Sequence, residues 1–445
     1  MLKILRIKNH LTSFQLIITG FAGVILLGAL LLMMPCASTA GKITPFSDAL
    51  FTSTSAVCVT GLAVVDTGSY WTVFGQTVIL VLIQVGGLGV ITIAAAFTML
   101  SGRNISLMQR STMQSAISAP QVGGIVRLTR FILKGTFVIE AIGAIAMMPV
   151  FCKEFGARGV WMAVFHSISA FCNAGFDILG TATQKFPSLT GYQGNIWVNV
   201  VIMLLVVIGG VGFLTWEDIW IHKCNFRQYR LQSKIILIAT LVLVAVPAVF
   251  FYVEDFWNMS EQNRILSAVF QSVTTRTAGF NTIDLTTMTG VSQACMIVLM
   301  LIGGAPGSTA GGMKNTTFVV LIANALATFT RKDDIQIFDR RINNEVVRDA
   351  ATIAGMYLAL FFCGAACIST IEHIPVSQCL YETASAIGTV GLTLGITSRL
   401  GVISRMILIV LMYFGRVGGL TLIYAAVSGR SRYIAKYPEE KVNVG

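Results

Sequence analysis

FTSTSAVCVTGLAVVD (51–66), FHSISAFCNAGFDIL (165–179), FQSVTTRTAGFNTID (270–284) and YETASAIGTVGLTLG (381–395) are four versions of one phrase. Each is a small-residue, Ser/Thr-rich run of helical character that passes into an extended tripeptide ending in glycine, at Gly61, Gly175, Gly279 and Gly391. Counted from Gln271 to its glycine, the third copy is one residue shorter than the others. A second glycine-rich element follows each: VGGLG at 85–89, IGGVG at 208–212, IGGAPGSTAGG at 302–312 and FGRVGG at 414–419. Two elements recurring four times in the same order mark an internal repeat, which settles the architecture before any single helix does.

Long apolar stretches flank these phrases, near 14–34, 72–100, 131–151, 194–216, 235–253, 291–325, 351–371 and 402–427. At ~1.5 Å rise, about 20 residues cross a ~30 Å hydrocarbon core, so each is long enough to span. The Ser/Thr-rich runs are too short and read as re-entrant helices. The expected fold is an all-α polytopic membrane protein with eight transmembrane spans. Four tandem units of first span (M1), pore helix and second span (M2) would surround a pseudo-fourfold ion pore. The units are 1–103, 104–222, 223–330 (which carries the Gly-rich intramembrane loop) and 331–445 (with the cytoplasmic tail). Thr44 and Pro45 before the first pore helix, and Pro375 with Ser377 at the fourth, are helix-start signals.

Composition agrees. Of 445 residues 55% are hydrophobic and 11% charged, and the mean hydropathy is +0.77. Soluble globular chains carry roughly 25% charge, so a soluble enzyme, a disordered chain and a secreted disulfide scaffold are excluded. The net charge of +11 would suggest nucleic acid in a soluble protein. Here the N-terminus, 101–134, 222–234, 331–348 and the tail from 430 hold 21 of the 31 Lys and Arg, which are the segments between units and the two ends. Basic loops stay cytoplasmic, so both termini are expected inside, the re-entrant loops enter from outside, and no nucleic-acid partner is implied. Lys3, Arg6 and Lys8 imitate a signal peptide, but the following apolar run is too long for one and reads as a retained span. Nine cysteines without a CxxC pair read as small buried apolar residues, with no disulfide framework or zinc site. His10, His166, His222 and His373 do not cluster, and no HExxH or GxSxG motif is present, so an intramembrane enzyme is not expected.

The repeated unit suits ion passage. A short helix stopping near mid-membrane aims its partially negative C-terminus at the centre. The tripeptides Val59-Thr60-Gly61, Asn173-Ala174-Gly175, Thr277-Ala278-Gly279 and Thr389-Val390-Gly391 offer backbone carbonyls in place of a hydration shell. Glycine is needed because turning successive carbonyls the same way requires positive φ. Neutral carbonyls favour a monovalent cation over a divalent one. Asp66, Asp177 and Asp284, just after their glycines, either concentrate cations at the outer mouth or are ordinary loop acids.

On these loops and Gly-rich second spans the chain resembles the Trk/Ktr/HKT superfamily of potassium transporters, over nearly its whole length. With the first span starting near residue 14, it resembles the Ktr-type membrane subunit. The resemblance implies a homodimer in the cell membrane with one pore per chain. It also implies K+ as the transported ion, with no catalytic cofactor. In that family glycine in every loop goes with potassium selectivity, and serine in the first loop with sodium transport, so Gly61 implies potassium. No unit carries TVGYG; Thr389-Val390-Gly391 comes nearest.

Gly303-Gly304-Ala305-Pro306-Gly307-Ser308-Thr309-Ala310-Gly311-Gly312-Met313-Lys314 cannot form a regular helix, with five glycines and a proline. It fails the spacing of a phosphate-binding loop. On its residues alone the segment reads as a simple kink; the resemblance makes it a gate below the filter. Arg416, mid-span, either faces the pore as an electrostatic barrier, which the resemblance supports, or pairs structurally. Arg276 is expected to brace the filter by donating to carbonyls, and Glu140 to pair with one of the two arginines. Segment 331–349, with Ile335, Phe338, Ile342 and Val346 at helical spacing, reads as a surface helix. The resemblance adds docking there of a cytosolic ring of nucleotide-binding regulatory subunits. The expected activity is potassium uptake driven by the membrane potential. The alternative is a sodium- or proton-coupled symporter, for which inverted repeats with broken helices at matched positions would speak; here all four units are expected to enter from one side and only the third second span reads as strongly broken.

Overall fold

The computed structural model describes residues 12–425 apart from 102–104, 118–120, 122, 333, 420 and 423–424. The basic N-terminal residues and the tail from 430 lie outside the described residues.

Among the described residues four single helices are long and apolar enough to cross a membrane: α1 (Ser13–Leu32), α6 (Ile125–Phe155), α10 (Leu231–Glu254) and α14 (Asn344–Glu372). Each leads into a shorter helix packed against it: α2 (Phe46–Val57), α7 (Arg158–Phe171), α11 (Glu261–Thr274) and α15 (Val376–Gly388). Pro45 and Pro375 stand at the N-caps of α2 and α15, where a missing N–H costs nothing. The small residues of the short helices are what let them lie close to the long ones. Ser53 donates to Ile25 O at 2.7 Å and Ser167 to Glu140 O at 2.7 Å, while Ser272 donates to Val244 O at 2.6 Å. Three residues beyond the first two acceptors stand Gly28 and Gly143. A Cβ there would fall within 2.8 Å of the serine hydroxyl and of Leu82 or Leu205. In the third unit the same position is Pro247.

The third second span is broken where its glycines and proline require it, while the others depart from the expectation of continuous helices. α3 (Val73–Leu88) and α4 (Val90–Leu100) meet at 95° across Gly89, and α8 (Ile196–Gly210) and α9 (Phe213–His222) meet at 96°. α12 (Gly290–Leu301) and α13 (Asn315–Phe329) are parted by residues 302–314, and α16 (Val402–Val417) ends at Gly418. Gly89, Gly212 and Gly418 have φ of 86°, 96° and 88°, a left-handed geometry that ends each helix's hydrogen-bond ladder. Between α4 and α6 lies α5 (Leu107–Ile117).

Two local expectations are corrected. Segment 331–349 begins as a hairpin, β1 (Gln336–Ile337) against β2 (Arg340–Arg341), because Phe338 and Asp339 take positive φ in a tight two-residue turn. Ile342 N then donates to Ile335 O at 2.9 Å, and Val346 falls in α14. Of the nine free cysteines Cys58, Cys172 and Cys379 are buried, but Cys36, Cys224, Cys363 and Cys367 are exposed on outer faces.

Leucine at Gly28 or Gly143 should destabilise the protein by about 2 kcal/mol or more, since overpacked interfaces force neighbours apart. Gly23→Leu, which meets nothing within 4 Å, should leave thermal unfolding in detergent unchanged. Equal melting of all three variants would contradict this packing.

Candidate functional site

The four tripeptides come together at one axis. In each, the first residue and the glycine both have positive φ: Val59 57° and Gly61 93°, Asn173 58° and Gly175 67°, Thr277 68° and Gly279 82°, Thr389 52° and Gly391 94°. The positive φ at the glycine was legible from sequence; the second, on a side-chain-bearing residue, was not. Alternating backbone handedness turns successive carbonyls toward the same side of the strand.

Their mutual placement is a closed ring. A Cβ on Gly61 would land within 2.8 Å of Ala174 O, one on Gly175 of Ala278 O, one on Gly279 of Val390 O, and one on Gly391 of Thr60 O. Each glycine thus abuts the middle carbonyl of the next unit, in the order one, two, three, four and back to one. All twelve residues are buried except Gly61, which is partly exposed.

The short helices α2, α7, α11 and α15 hold the strands from behind. Ser55 Oγ accepts from Gly61 N at 3.1 Å and Ser385 Oγ from Gly391 N at 2.9 Å. In the two intervening units the hydroxyl donates instead, Ser169 to Phe176 O at 2.8 Å and Thr274 to Phe280 O. Thr274 is one residue nearer its glycine than Ser169, which absorbs the shorter third copy. Nine residues before the glycine in the other units, and eight in the third, stands a buried polar side chain: Thr52, His166, Gln271 or Glu382. Glu382 accepts from Thr393 Oγ1 at 2.8 Å and from Thr397 Oγ1, a brace that sequence reasoning missed.

The second glycine elements seat on the ends of the pore helices. A Cβ on Gly86 would collide with Val57 O, on Gly209 with Phe171 O, and on Gly415 with Ile387 O. This explains why the two glycine elements recur together.

Residues 302–314 run beneath the ring and bond to the other units through backbone. Ala305 N donates to Gly210 O (3.0 Å), Thr309 N to Gly209 O (3.2 Å), Gly312 N to Gly415 O (3.1 Å), and Phe213 N to Gly307 O (2.7 Å). A Cβ on Gly311 would strike Thr389, so the segment lies directly against the fourth tripeptide. Lys314 Nζ donates to Ala310 O at 2.8 Å. Arg416 ties the first unit to the same segment, with Nη1 donating to Thr309 O and Nη2 to Gly86 O (2.6 Å) and Gly87 O (3.0 Å).

The remaining expectations about charge are partly corrected. Glu140 pairs with neither arginine; it accepts from Gln84 Nε2 at 3.2 Å. The Arg276 guanidinium donates to no carbonyl among the described residues, and lines a small cavity with Thr240 and Gly304. Of the outer acids, Asp66 accepts from Ser69 N (2.8 Å), Ser69 Oγ (2.6 Å) and Phe186 N (2.8 Å), so it ties the first unit to the second. Asp284 accepts from Thr286 N at 2.9 Å in its own turn. Asp177, with one backbone bond from Leu179 N at 3.1 Å, lines a vestibule at one mouth of the ring with Gly61, Gly175, Gly279 and Gly391. Burial, and then the neighbouring Asp66, push its pKa up to about 7.

A polytopic helical membrane protein with four short helix–loop segments closing on one axis is the class these features define. The model of the TrkH family, described as cation transport protein, matches residues 8–433. Over 99% of both chains this protein is 38% identical to the potassium/sodium uptake protein NtpJ of Enterococcus hirae. It is 37% identical to the Ktr system potassium uptake protein B of Bacillus subtilis, over 98% of this chain and 97% of that one. The crystal structure of the potassium transporter TrkH from Vibrio parahaemolyticus shares the fold, with a TM-score of 0.70 and 18% identity over 92% of this chain and 85% of that one. The chain belongs to the TrkH family of cation transport proteins; it is a multi-pass membrane transporter and not an enzyme.

Because Asp177 is charged above a pH of about 7, cation uptake at subsaturating concentration should rise as external pH goes from about 6 to 8, through electrostatic focusing at the mouth. Asp177→Asn should flatten that rise and raise the half-saturating concentration about threefold, with the maximal rate kept. An unchanged pH profile in the variant would remove Asp177 from this role.

Proposed function

We propose that this chain forms a potassium-selective uptake pore driven by the membrane potential, with the twelve tripeptide residues as its selectivity filter. The observation that carries the reading is the closed ring in which each filter glycine abuts the next unit's middle carbonyl. A neutral carbonyl cage suits a monovalent cation that sheds water easily, and the names of the relatives from E. hirae and B. subtilis both include potassium. A potential of ~100 mV contributes about 2.3 kcal/mol per ion, or roughly fiftyfold accumulation. The chain divides into the four units 1–103, 104–222, 223–330 and 331–445, as eight spans with both ends in the cytoplasm; the distribution of basic residues supports that orientation.

Residues 303–312 with Lys314 and Arg416 are the gate. Support comes from the position of the segment under the ring and from the Arg416 bonds that hold it there. Opening requires those bonds to release together, which fits control by a cytosolic nucleotide-binding subunit ring acting on a homodimer; the names of the Ktr-system relatives, each protein B of a system, support a partner subunit.

A second reading is kept because of two observations. The second spans of all four units end or bend at a break, and one relative is named for sodium as well as potassium. In it, sodium is coupled to potassium entry.

The deciding measurement is rubidium-86 uptake into liposomes holding the purified chain, with potassium or sodium as competitor. Block by potassium alone supports the selective pore; uptake that requires an inward sodium gradient supports coupling; block by both equally overturns the filter assignment. Gly61→Ser places an atom against Ala174 O, and should lower the potassium preference about tenfold in the same assay. Deleting 305–311, or Arg416→Gln, should raise flux and loosen dependence on the partner. Folded variants that conduct no more than the parent would overturn the gate.

A further inference from the structure

On the side where segments 222–234 and 331–348 meet, the hairpin folds over the start of α10. Arg227, Arg230, Lys234, Arg340 and Arg341 line a cleft of about 670 Å³ together with Phe338. Acids account for two of the five cations. Arg230 pairs with Glu217 at 2.8 Å and Asp218 at 3.5 Å, and Arg341 with Asp334 at 2.9 Å. Lys234 Nζ donates to Arg227 O at 2.9 Å and stands 5.9 Å from the Phe226 ring centre. Among the described residues Arg227, Lys234 and Arg340 have no carboxylate within 4 Å, so the cleft carries a surplus of positive charge.

Its surroundings say what kind of anion fits. Ile238, Leu241 and Val242 follow Lys234 at the spacing of one helix face, and are 40%, 68% and 49% exposed. Val246 and Val249 continue the strip at 63% and 64%. Leu241 stands about 10 Å along the axis from Lys234 at ~1.5 Å per residue. Trp220 and Ile221 at the end of α9, exposed by 75% and 59%, add an aromatic–apolar corner of the kind found at a membrane interface. A soluble anion would use the cleft and leave the strip idle. An acidic protein surface would have no use for apolar side chains that face hydrocarbon.

We propose that this cleft binds the phosphodiester headgroup of an anionic glycerophospholipid, with the acyl chains lying along the Ile238–Val249 strip of α10. The inference rests on the chain being a membrane protein and not on its ion selectivity. A bound lipid of this kind bridges the third unit's entry to the linker that begins the fourth.

The test is native mass spectrometry of the full chain in detergent, with phosphatidylglycerol, phosphatidylcholine or inorganic phosphate added. Phosphatidylglycerol should be retained roughly tenfold or more over phosphatidylcholine. Arg227→Gln with Arg340→Gln, both exposed and outside the pore, should reduce that preference to within about twofold while thermal unfolding without lipid stays put. Arg110→Gln, on α5, should keep it. Equal retention of the two lipids, or an undiminished preference in the double variant, would overturn the site. Displacement of the lipid by millimolar inorganic phosphate would overturn the lipid as occupant. Since binding is read without transport, its failure is distinct from failure of the pore assignment.

Discussion

Everything in this fold depends on backbone meeting backbone at one axis without a side chain between. The contact of each tripeptide glycine with the next unit's middle carbonyl closes the ring. It forces the alternating handedness of the tripeptides, including positive φ at Val59, Thr277 and Thr389. A β-branched residue in that region is strained by about 1–2 kcal/mol, and persists only where the surroundings over-determine it. The pore-helix hydroxyls provide that determination, Ser55 and Ser385 by accepting from the glycine N–H and Ser169 and Thr274 by donating to the carbonyl just past it.

The constraint propagates outward. For the tripeptides to reach the axis the pore helices must end close to it, and their last carbonyls then crowd the second spans, which accommodate them with Gly86, Gly209 and Gly415. For the pore helices to lie that close, the first spans must be thin at Gly28 and Gly143, where serine hydroxyls also bond to span carbonyls. In the third unit proline takes this place. Pro247 has no N–H, and Ser272 bonds to the nearby carbonyl of Val244. The outer faces carry no such demand and are free to be apolar toward lipid.

These relations decide what could be read from sequence. A glycine required by close approach recurs at fixed spacing, so both glycine elements, the four units and the positions of the tripeptides were visible. The break at 302–314 was visible in its glycines and proline; those at Gly89 and Gly212 were not, because both sit inside unbroken apolar runs, and hydropathy reports burial in lipid but not the direction of the chain. The hairpin at 336–341 was missed because Ile335, Phe338 and Ile342 satisfy helical spacing, while the turn that decides it uses Phe338 and Asp339 in a conformation neither residue advertises. Pairings were the least legible. Glu140 finds Gln84, and Glu382 finds Thr393 and Thr397, all neutral partners whose identity depends on which unit lies beside which.

The segment beneath the ring follows from the same physics turned to a different end. In units one, two and four the second glycine element locks a span to its pore helix. In unit three it is expanded into a strand-like stretch whose bonds to the other units run largely through backbone, each a neutral hydrogen bond worth roughly 1 kcal/mol net. Such bonds suffice to hold a small-residue segment in place but not to make its removal prohibitive. Arg416 adds charge-assisted bonds from one guanidinium to both the segment and the first unit. On the proposed gating role, a fixed cation with carbonyl acceptors and, among the described residues, no carboxylate partner would exchange those acceptors for water as the segment moved aside. A buried ion pair in its place would hold far more firmly, since breaking one strands an uncompensated charge. In the proposed gate, carbonyl acceptors in place of a carboxylate are what would let the closure reverse.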